Sequence, residues 1–512
     1  MKKLLLLITA LVISTASYAS ETQITQTPSQ RLDQSVFGDL NVAERTPVIQ
    51  LQFPYDINTE IITPNTHKTG TITVSNGVLT VASGTDTDSY AYIQSRKFLQ
   101  YRPGQGISWL GAGFFDPCVA GNQRFFGMGD IGDGIGYGCV GAEFGVSRAS
   151  GGANEVWTLS IDSDATASGD ITLTLGGETK IIPVIIGDTR AEIVTKIVNT
   201  TTWGEVGPGW TPFASGMEVI FKAKLDSHQA GAFSFADTDT TGVTGVFTEE
   251  IHGASTTFAF TPQAEFSHDK LNWLDITKGN VYRVRFQWLG FGMLTYEIED
   301  PSTGQFIVCH QEAYANKHIV PSVSNPIFPV GVRNVNTGGT STVSVNLSSA
   351  AAFVEGKNKS TSLSYSASSA SVSVTTTEVP LLTICNRVVY GGTAPNGYVN
   401  RISVEPDLLS MLSDGVKGVV ITISKNSDLL GLPVYTNRDT LNSVTGFDIA
   451  ATGIVLNRVI ASFGLDKIDA KTQVLLDRGI ELRPGDTFHV SAHTLSGTNA
   501  DVSCTLSWRE NF

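Results

Sequence analysis

Between residues 281 and 300 the chain reads VYRVRFQWLGFGMLTYEIED, with its apolar positions on every second residue. Tyr282, Val284, Phe286 and Trp288 alternate with Arg283, Arg285 and Gln287; Leu294, Tyr296 and Ile298 then alternate with Thr295, Glu297 and Glu299. A period of two predicts strands with one buried and one wet face. Leu289-Gly290-Phe291-Gly292 supplies the reversal, because glycine accepts backbone angles that other residues resist. Phe286 and Trp288 are the expected core anchors.

The pattern recurs along most of the chain. TITVSNGVLTV, residues 71–81, predicts a hairpin through Asn76-Gly77, two residue types that tolerate positive φ. Residues 90–106 are strand-like and close at Pro103-Gly104, and 124–148 read as short strands broken by glycines. Near residue 156 the style changes. Residues 169–200 read strand, Gly176-Gly177 turn, strand, helix, the helix signalled by the capping box Thr189-x-x-Glu192 and by Ile193, Val194, Ile197 and Val198 on one face. Residues 209–225 return to strand, so 156–262 is expected to be an inserted α+β domain.

The earlier style resumes at 263. Residues 46–155 and 263–357 are therefore expected to form one discontinuous β-sandwich, each half supplying an apolar face. Residues 358–379, mostly Ser and Thr, are a linker or an edge strand at a domain boundary. Residues 380–512 predict a second sandwich, with a turn at Arg483-Pro484-Gly485-Asp486 and an aromatic C-terminal strand.

Composition sharpens this picture. Only 16% of the 512 residues are charged and 51 are glycine, against roughly 25% charged in ordinary soluble chains, a profile of strands and turns. A net charge of −14 and the lack of a basic stripe argue against nucleic-acid binding, which depends on Lys and Arg displacing counterions. Residues 1–19 have a signal-peptide layout: Lys2 and Lys3, an apolar run from Leu4 to Ile13, then Ser17-Tyr18-Ala19. Residues 20–45 read as a polar leader, and no later run is long enough to span a bilayer. In an exported chain Cys118 and Cys139 are candidates for a disulfide; most of the five cysteines are expected to be buried thiols.

Four constellations suggest chemistry. Gly127-Met128-Gly129-Asp130-Ile131-Gly132 spells G-x-G-x-x-G, but the glycines that follow cannot propagate the helix a pyrophosphate site requires. His489 and His493 lie on one strand, roughly 13 Å apart, too far to share a metal, and are expected on an exposed face. Cys309-His310, with His318 nearby, is better read as a buried Cys on a strand than as a nucleophile and base. Asp162, Asp164 and Asp170 miss the EF-hand spacing and are explained by Asx-type turns. No catalytic residue, metal ligand or cofactor is expected; only a distant carboxylate pair, which sequence cannot match up, leaves room for a hydrolase.

The opening hairpin and its continuation resemble a segment of structural proteins of bacteriophages and other large DNA viruses. The likeness is carried by Trp288, Leu289, Gly290 and Gly292 (W-L-G-x-G), by Gly304, Gln305, Phe306, Ile307, Cys309 and His310 (G-Q-F-I-x-C-H), and by Asn316. YIQSRKFLQYRPGQG looks like its partner segment through Gln94, Ser95, Arg96, Tyr101, Pro103 and Gly104. GETKIIPVIIGDTRAEIVTKI and GWTPFASGMEVIFKAKL are similar to accessory domains of tail-sheath and other virion proteins, and LRPGDTFHVSAHTLSGTNADVSCTLSWRENF to closing strands of phage structural proteins.

The resemblance implies a mainly β chain, an antiparallel jelly-roll or lectin-like sandwich with the inserted domain and the second sandwich. It implies a non-enzymatic, surface-exposed head, tail or fibre component. Its partners would be other virion proteins and a host glycan or receptor; separately, exposed sandwich edges invite pairing with like chains, so a homo-oligomer is expected. The signal-peptide layout departs from that pattern and favours the second reading, a secreted adhesin or carbohydrate-binding protein.

Overall fold

Alternation becomes strand pairing wherever a turn residue permits the reversal. Asn76 and Gly77 both take positive φ, +53° and +76°, and join the strands Thr71–Ser75 and Val78–Ala82 in register Ser75 to Val78. The 281–300 hairpin forms from Asn280–Phe286 and Leu294–Glu299. A Cβ on Gly292 would lie 1.6 Å from the Gln287 carbonyl oxygen, so only glycine fits that close crossing. The computed structural model describes residues 45–512 apart from 131, 201–202, 204–208, 357–361, 392–396, 415–417, 431–432, 434, 440–441, 466–469, 476–478 and 498. The signal peptide and leader expected before Arg45 lie outside the described residues.

Strands from both sides of the insert share two antiparallel sheets. One is 8-stranded and runs Phe306–Glu312, Leu294–Glu299, Asn280–Phe286, Ile107–Phe115, Ser344–Glu355, Val78–Ala82, Thr71–Ser75, with Arg45–Gln52 also on Ser344–Glu355. The other is 7-stranded and runs Thr257–Pro262, Glu143–Ser150, Gly134–Val140, Asn122–Gly129, Val330–Asn336, Tyr90–Ser95, Ile62–His67. Thr257–Pro262, expected in the insert, thus belongs to this sandwich. Between the sheets lie Trp109, Phe126, Tyr137, Tyr282 and Tyr296, all 0% exposed. Rings of this kind dominate core burial and meet edge-on, as Trp109 does with Phe126 at 4.7 Å.

The insert has a four-stranded and a three-stranded sheet with the helix Arg190–Asn199 against them. The helix starts where the capping box placed it: the Thr189 hydroxyl accepts from the Glu192 N–H, and the Glu192 carboxylate accepts from the Thr189 N–H. Ile193, Val194 and Ile197 are buried beside Trp203, Trp210 and Phe221. The C-terminal region forms a second sandwich of five- and six-stranded sheets around Trp508, Leu506, Val490 and Ile421. Ser362–Ser368 and Val372–Val374, in the Ser/Thr-rich stretch, pair with Ala500–Asn511 of this sandwich. The fold is mainly β, and no helix among the described residues is long and apolar enough to cross a membrane.

Two expectations about wet faces are corrected. Arg283 and Arg285, expected in solvent, are each 9% exposed, because Glu297 on the neighbouring strand takes both guanidiniums: 2.5 Å from Arg283 Nε to Oε2 and 2.9 Å from Arg285 Nη2 to Oε1. The Arg283 guanidinium also lies over the Phe306 ring at 4.1 Å. His489, expected on an exposed face, is 1% exposed; its ring nitrogens meet the Thr383 and Thr487 hydroxyls at 3.0 and 2.8 Å. Desolvation there lowers its pKa to about 4.

Candidate functional site

The residues that carry the resemblance are structural in placement. Trp288 packs edge-on against Tyr101 at 5.7 Å, whose hydroxyl accepts from the Leu289 N–H. Gly290 and Gly304 take φ of +80° and +69° in the two turns. Phe306, Cys309 and His310 lie on the strand Phe306–Glu312. The Cys309 thiol is 3.3 Å from the Tyr296 carbonyl and 3.7 Å from the Tyr137 hydroxyl, and burial pushes its pKa up to about 12, the opposite of an activated nucleophile. His310 Nδ1 accepts from the Ser267 N–H, while His318 stacks on Tyr314. Cys118 and Cys139 are joined in a disulfide, with Cα atoms 5.6 Å apart.

The other constellations stay dispersed. The glycine run continues from the strand Asn122–Gly129 into Gly134–Val140, a strand-to-strand reversal. His493 Nδ1 pairs with Glu378. Asp164 accepts from the Arg190 N–H at the start of the helix, and the Asp170 N–H donates to Asp239.

What the fold does assemble is a cleft of about 410 Å³ at the meeting of the three regions. Ile62–His67 and Tyr90–Ser95 of the first sandwich form one wall and Trp210–Ser215 and Glu218–Asp226 of the insert another; the C-terminal sandwich adds residues 399–401 and 483–484. Alternation explains the insert wall: Val219 and Phe221 enter its core, which turns Lys222 and Lys224 to the other face. Five cationic side chains line the cleft, Arg96, Lys222, Lys224, Arg401 and Arg483, against a single carboxylate among the described lining residues, Asp130. In a chain of net charge −14 this is a local inversion of sign.

The cations differ in freedom. Arg401 is fixed, its Nη2 2.6 Å from Asp130 Oδ2 and 3.5 Å from Asp133 Oδ2; Arg96 reaches Asp486 at 3.0 Å. Lys222 and Lys224 have no ion pair among the described residues. Desolvation lowers both their pKa values, with Asp130 opposing the shift at Lys222 and Glu178 at Lys224. Tyr92 adds a phenol whose oxygen accepts from Asn65 Nδ2 at 2.9 Å, and burial pushes its pKa up to about 12, so its proton is available to donate. Phe98 and Phe213 contribute apolar ring surface. The neighbouring cavity, about 270 Å³, shares Asp130 and contains Asp226, whose carboxylate is taken by the Thr256 N–H at 3.0 Å.

Sequence reasoning missed this cleft. Its one signal was the alternation of Lys222 and Lys224 in IFKAKL; the rest of the lining comes from separate stretches of chain between Thr59 and Pro484 that only the fold brings together.

Comparison with protein-family profiles gives no match, and comparison with curated protein sequences gives none. Among solved structures the chain is similar to lectin II from Ulex europaeus at 12% identity and a TM-score of 0.22, covering 60% of this chain and 100% of the lectin. A lectin from Bauhinia forficata in complex with GalNAc gives 10% and 0.20, covering 60% and 99%. The carbohydrate recognition domain of Emp46p, in its metal-free form, gives 10% and 0.20, covering 58% and 88%. At such scores the likeness carries no argument, and the functional reading rests on the cleft.

Proposed function

We propose that the chain is a non-enzymatic, surface-exposed recognition protein that holds an acidic glycan in the three-way cleft. The observation that carries this reading is the charge of the lining: five cations against one carboxylate, with the two lysines unengaged. Hydroxyl-rich ligands need convergent donors and acceptors beside apolar ring faces, and Tyr92, Gln94, Asn65, Phe98 and Phe213 supply them. Glycoside hydrolysis needs two carboxyl groups flanking the bond; among the described lining residues Asp130 is the one carboxylate and is held by Arg401, while Asp226 in the neighbouring cavity is hydrogen-bonded to Thr256, which supports binding without turnover. Carbohydrate binding, the second reading of the sequence, thus takes first place. The segments that resemble virion proteins make a phage particle the proposed setting, where such a cleft would serve attachment.

Polygalacturonate and neutral dextran are the probes. The full chain is expected to bind the first and not the second, and K222A/K224A to weaken that binding at least about tenfold, as does raising salt from 50 to 200 mM. Equal binding to both polymers, binding to neither, or depolymerisation of either would overturn the proposal. Particle setting is checked separately, by mass spectrometry of purified particles against cell envelopes.

A further inference from the structure

The geometry points to a divalent transition-metal site, of the kind that takes Zn²⁺, formed by His228, His252 and Glu249 at the base of the insert, away from the cleft lining. One ligand-capable atom of each of the three lies within 4.8 Å of the others. The strand Asn154–Ile161 pairs with Glu218–Asp226 on one side and Gly245–Ile251 on the other. Both neighbours end beside its start, His228 two residues beyond one and His252 directly after the other. Bridges from Ala153 to Ala254 and from Asn154 to Ser227 tie those ends together. Gly253 lets them touch: a Cβ there would sit 2.0 Å from the Ser227 carbonyl oxygen. The two imidazoles consequently stack, 4.3 Å between centroids and 21° from parallel.

The pairing of rings with carboxylates is what distinguishes this cluster from a chance meeting. His228 Nδ1 faces Glu155 Oε2 at 3.1 Å and His252 Nδ1 faces Glu249 Oε1 at 2.7 Å. At His228 an Nδ1–H held by Glu155, which is not one of the three ligands, fixes the tautomer and leaves Nε2 with its lone pair outward, the arrangement found behind metal-bound histidines; Glu249 gives up its contact with His252 Nδ1 when it turns to the metal. Glu155 is 0% exposed and also accepts from Trp157 Nε1 and the Gln229 N–H. It is a rigid anchor, a positioning residue with no direct bond to the metal. Glu155 and Glu249 place two carboxylates at this corner, whose negative charge a divalent cation would offset.

Zn²⁺ bonded at about 2.0–2.2 Å requires ligand atoms roughly 3.3 Å apart in a tetrahedron. The present spread therefore closes by about 1.5 Å on binding. His228 and His252 have side chains 51% and 56% exposed, so both can rotate to make that closure, with water completing the coordination. A metal bound there would clamp the ends of three strands where the insert joins the first sandwich.

Titration of the full chain, stripped with EDTA, with ZnCl₂ and with CoCl₂ tests this. One ion per chain is expected, raising the thermal midpoint, with visible Co²⁺ bands showing nitrogen ligation. H228N and H252N, both at half-exposed positions, are each expected to weaken Zn²⁺ more than about a hundredfold, beyond the roughly 10- to 100-fold that losing an outer partner costs. E155Q, which keeps an acceptor, is expected to fall within that lower range and to shift the Co²⁺ spectrum. Circular dichroism in EDTA establishes that each variant folds, and E378Q, at the His493 pair, is a control with unchanged binding. Absence of Zn²⁺ binding, or binding that both folded histidine variants retain at full affinity, would overturn the assignment.

Discussion

Single residues set how this protein responds to acid. His489 is enclosed between Thr383 and Thr487, and its folded pKa of about 4 lies below the ordinary histidine value of 6.5. The unfolded chain therefore takes up a proton near pH 6.5 that the native protein refuses until about pH 4. Stability from this group is fully present above pH 6.5, is lost as pH falls through that window, and changes no further below it. At about 1.4 kcal/mol per unit the loss reaches roughly 3 kcal/mol. Asp486 adds to it at lower pH. Burial alone would raise its pKa, but Lys425 and Arg96 outweigh burial and hold it below the usual carboxylate value, so its contribution is lost as the pH drops below about 4. Denaturation midpoints of wild type and H489Q between pH 7 and pH 4 check the first part: the variant should show a visibly flatter profile, and parallel profiles would show that His489 is not the buried neutral group described.

Elements show what a pattern can and cannot reveal. The hairpin turn at Gly292 was legible because strands on both sides alternate and only glycine suits the join; the structure adds that a Cβ would meet the Gln287 carbonyl at 1.6 Å. G292A is expected to cost about 2 kcal/mol or more in denaturant titration, while G279A, at a position with nothing within 4 Å of the added carbon, should stay within about 0.5 kcal/mol of wild type. Equal stability of the two variants would contradict the turn. The capping box of the helix was equally readable, since its two partners lie three residues apart. Alternation did not reveal that the face carrying Arg283 and Arg285 is buried, because the compensating carboxylate, Glu297, lies on another strand and burial of a charge depends on that partner. The cleft and the His228–His252 corner were illegible for a related reason. Their residues meet only after strand ends from separate stretches have been brought together.

At the scale of the whole molecule, charged side chains bridge the first and C-terminal sandwiches, and Arg401 is among the most buried of them. It is 7% exposed, reaches from the C-terminal sandwich to Asp130 and Asp133 of the first, and donates from Nη1 to the Ile327 carbonyl at 3.2 Å. Burial raises the pKa of Asp133, and Arg401 is the main influence opposing that rise, helped by donors from Ser324 and Gly151. R401M would fill much of the same volume and leave two carboxylates facing an apolar chain. Losing one partner of a buried pair costs about 3–5 kcal/mol. That loss should fall on the junction, because Trp508 and Trp109 sit in separate clusters that keep their own packing. Calorimetry of R401M is therefore expected to show two transitions in place of one broad one, the units melting apart before either core is lost. The penalty should also shrink on acidification: a carboxylate with a raised pKa binds its proton more readily folded than unfolded, so lowering the pH from 8 towards 5 relieves the uncompensated charge. A penalty that stays constant across that range, or a single unshifted transition, would mean that apolar contact and not this ion pair joins the sandwiches. It would also detach the geometry of the cleft from Arg401, since the same guanidinium fixes Asp130 at the cleft wall.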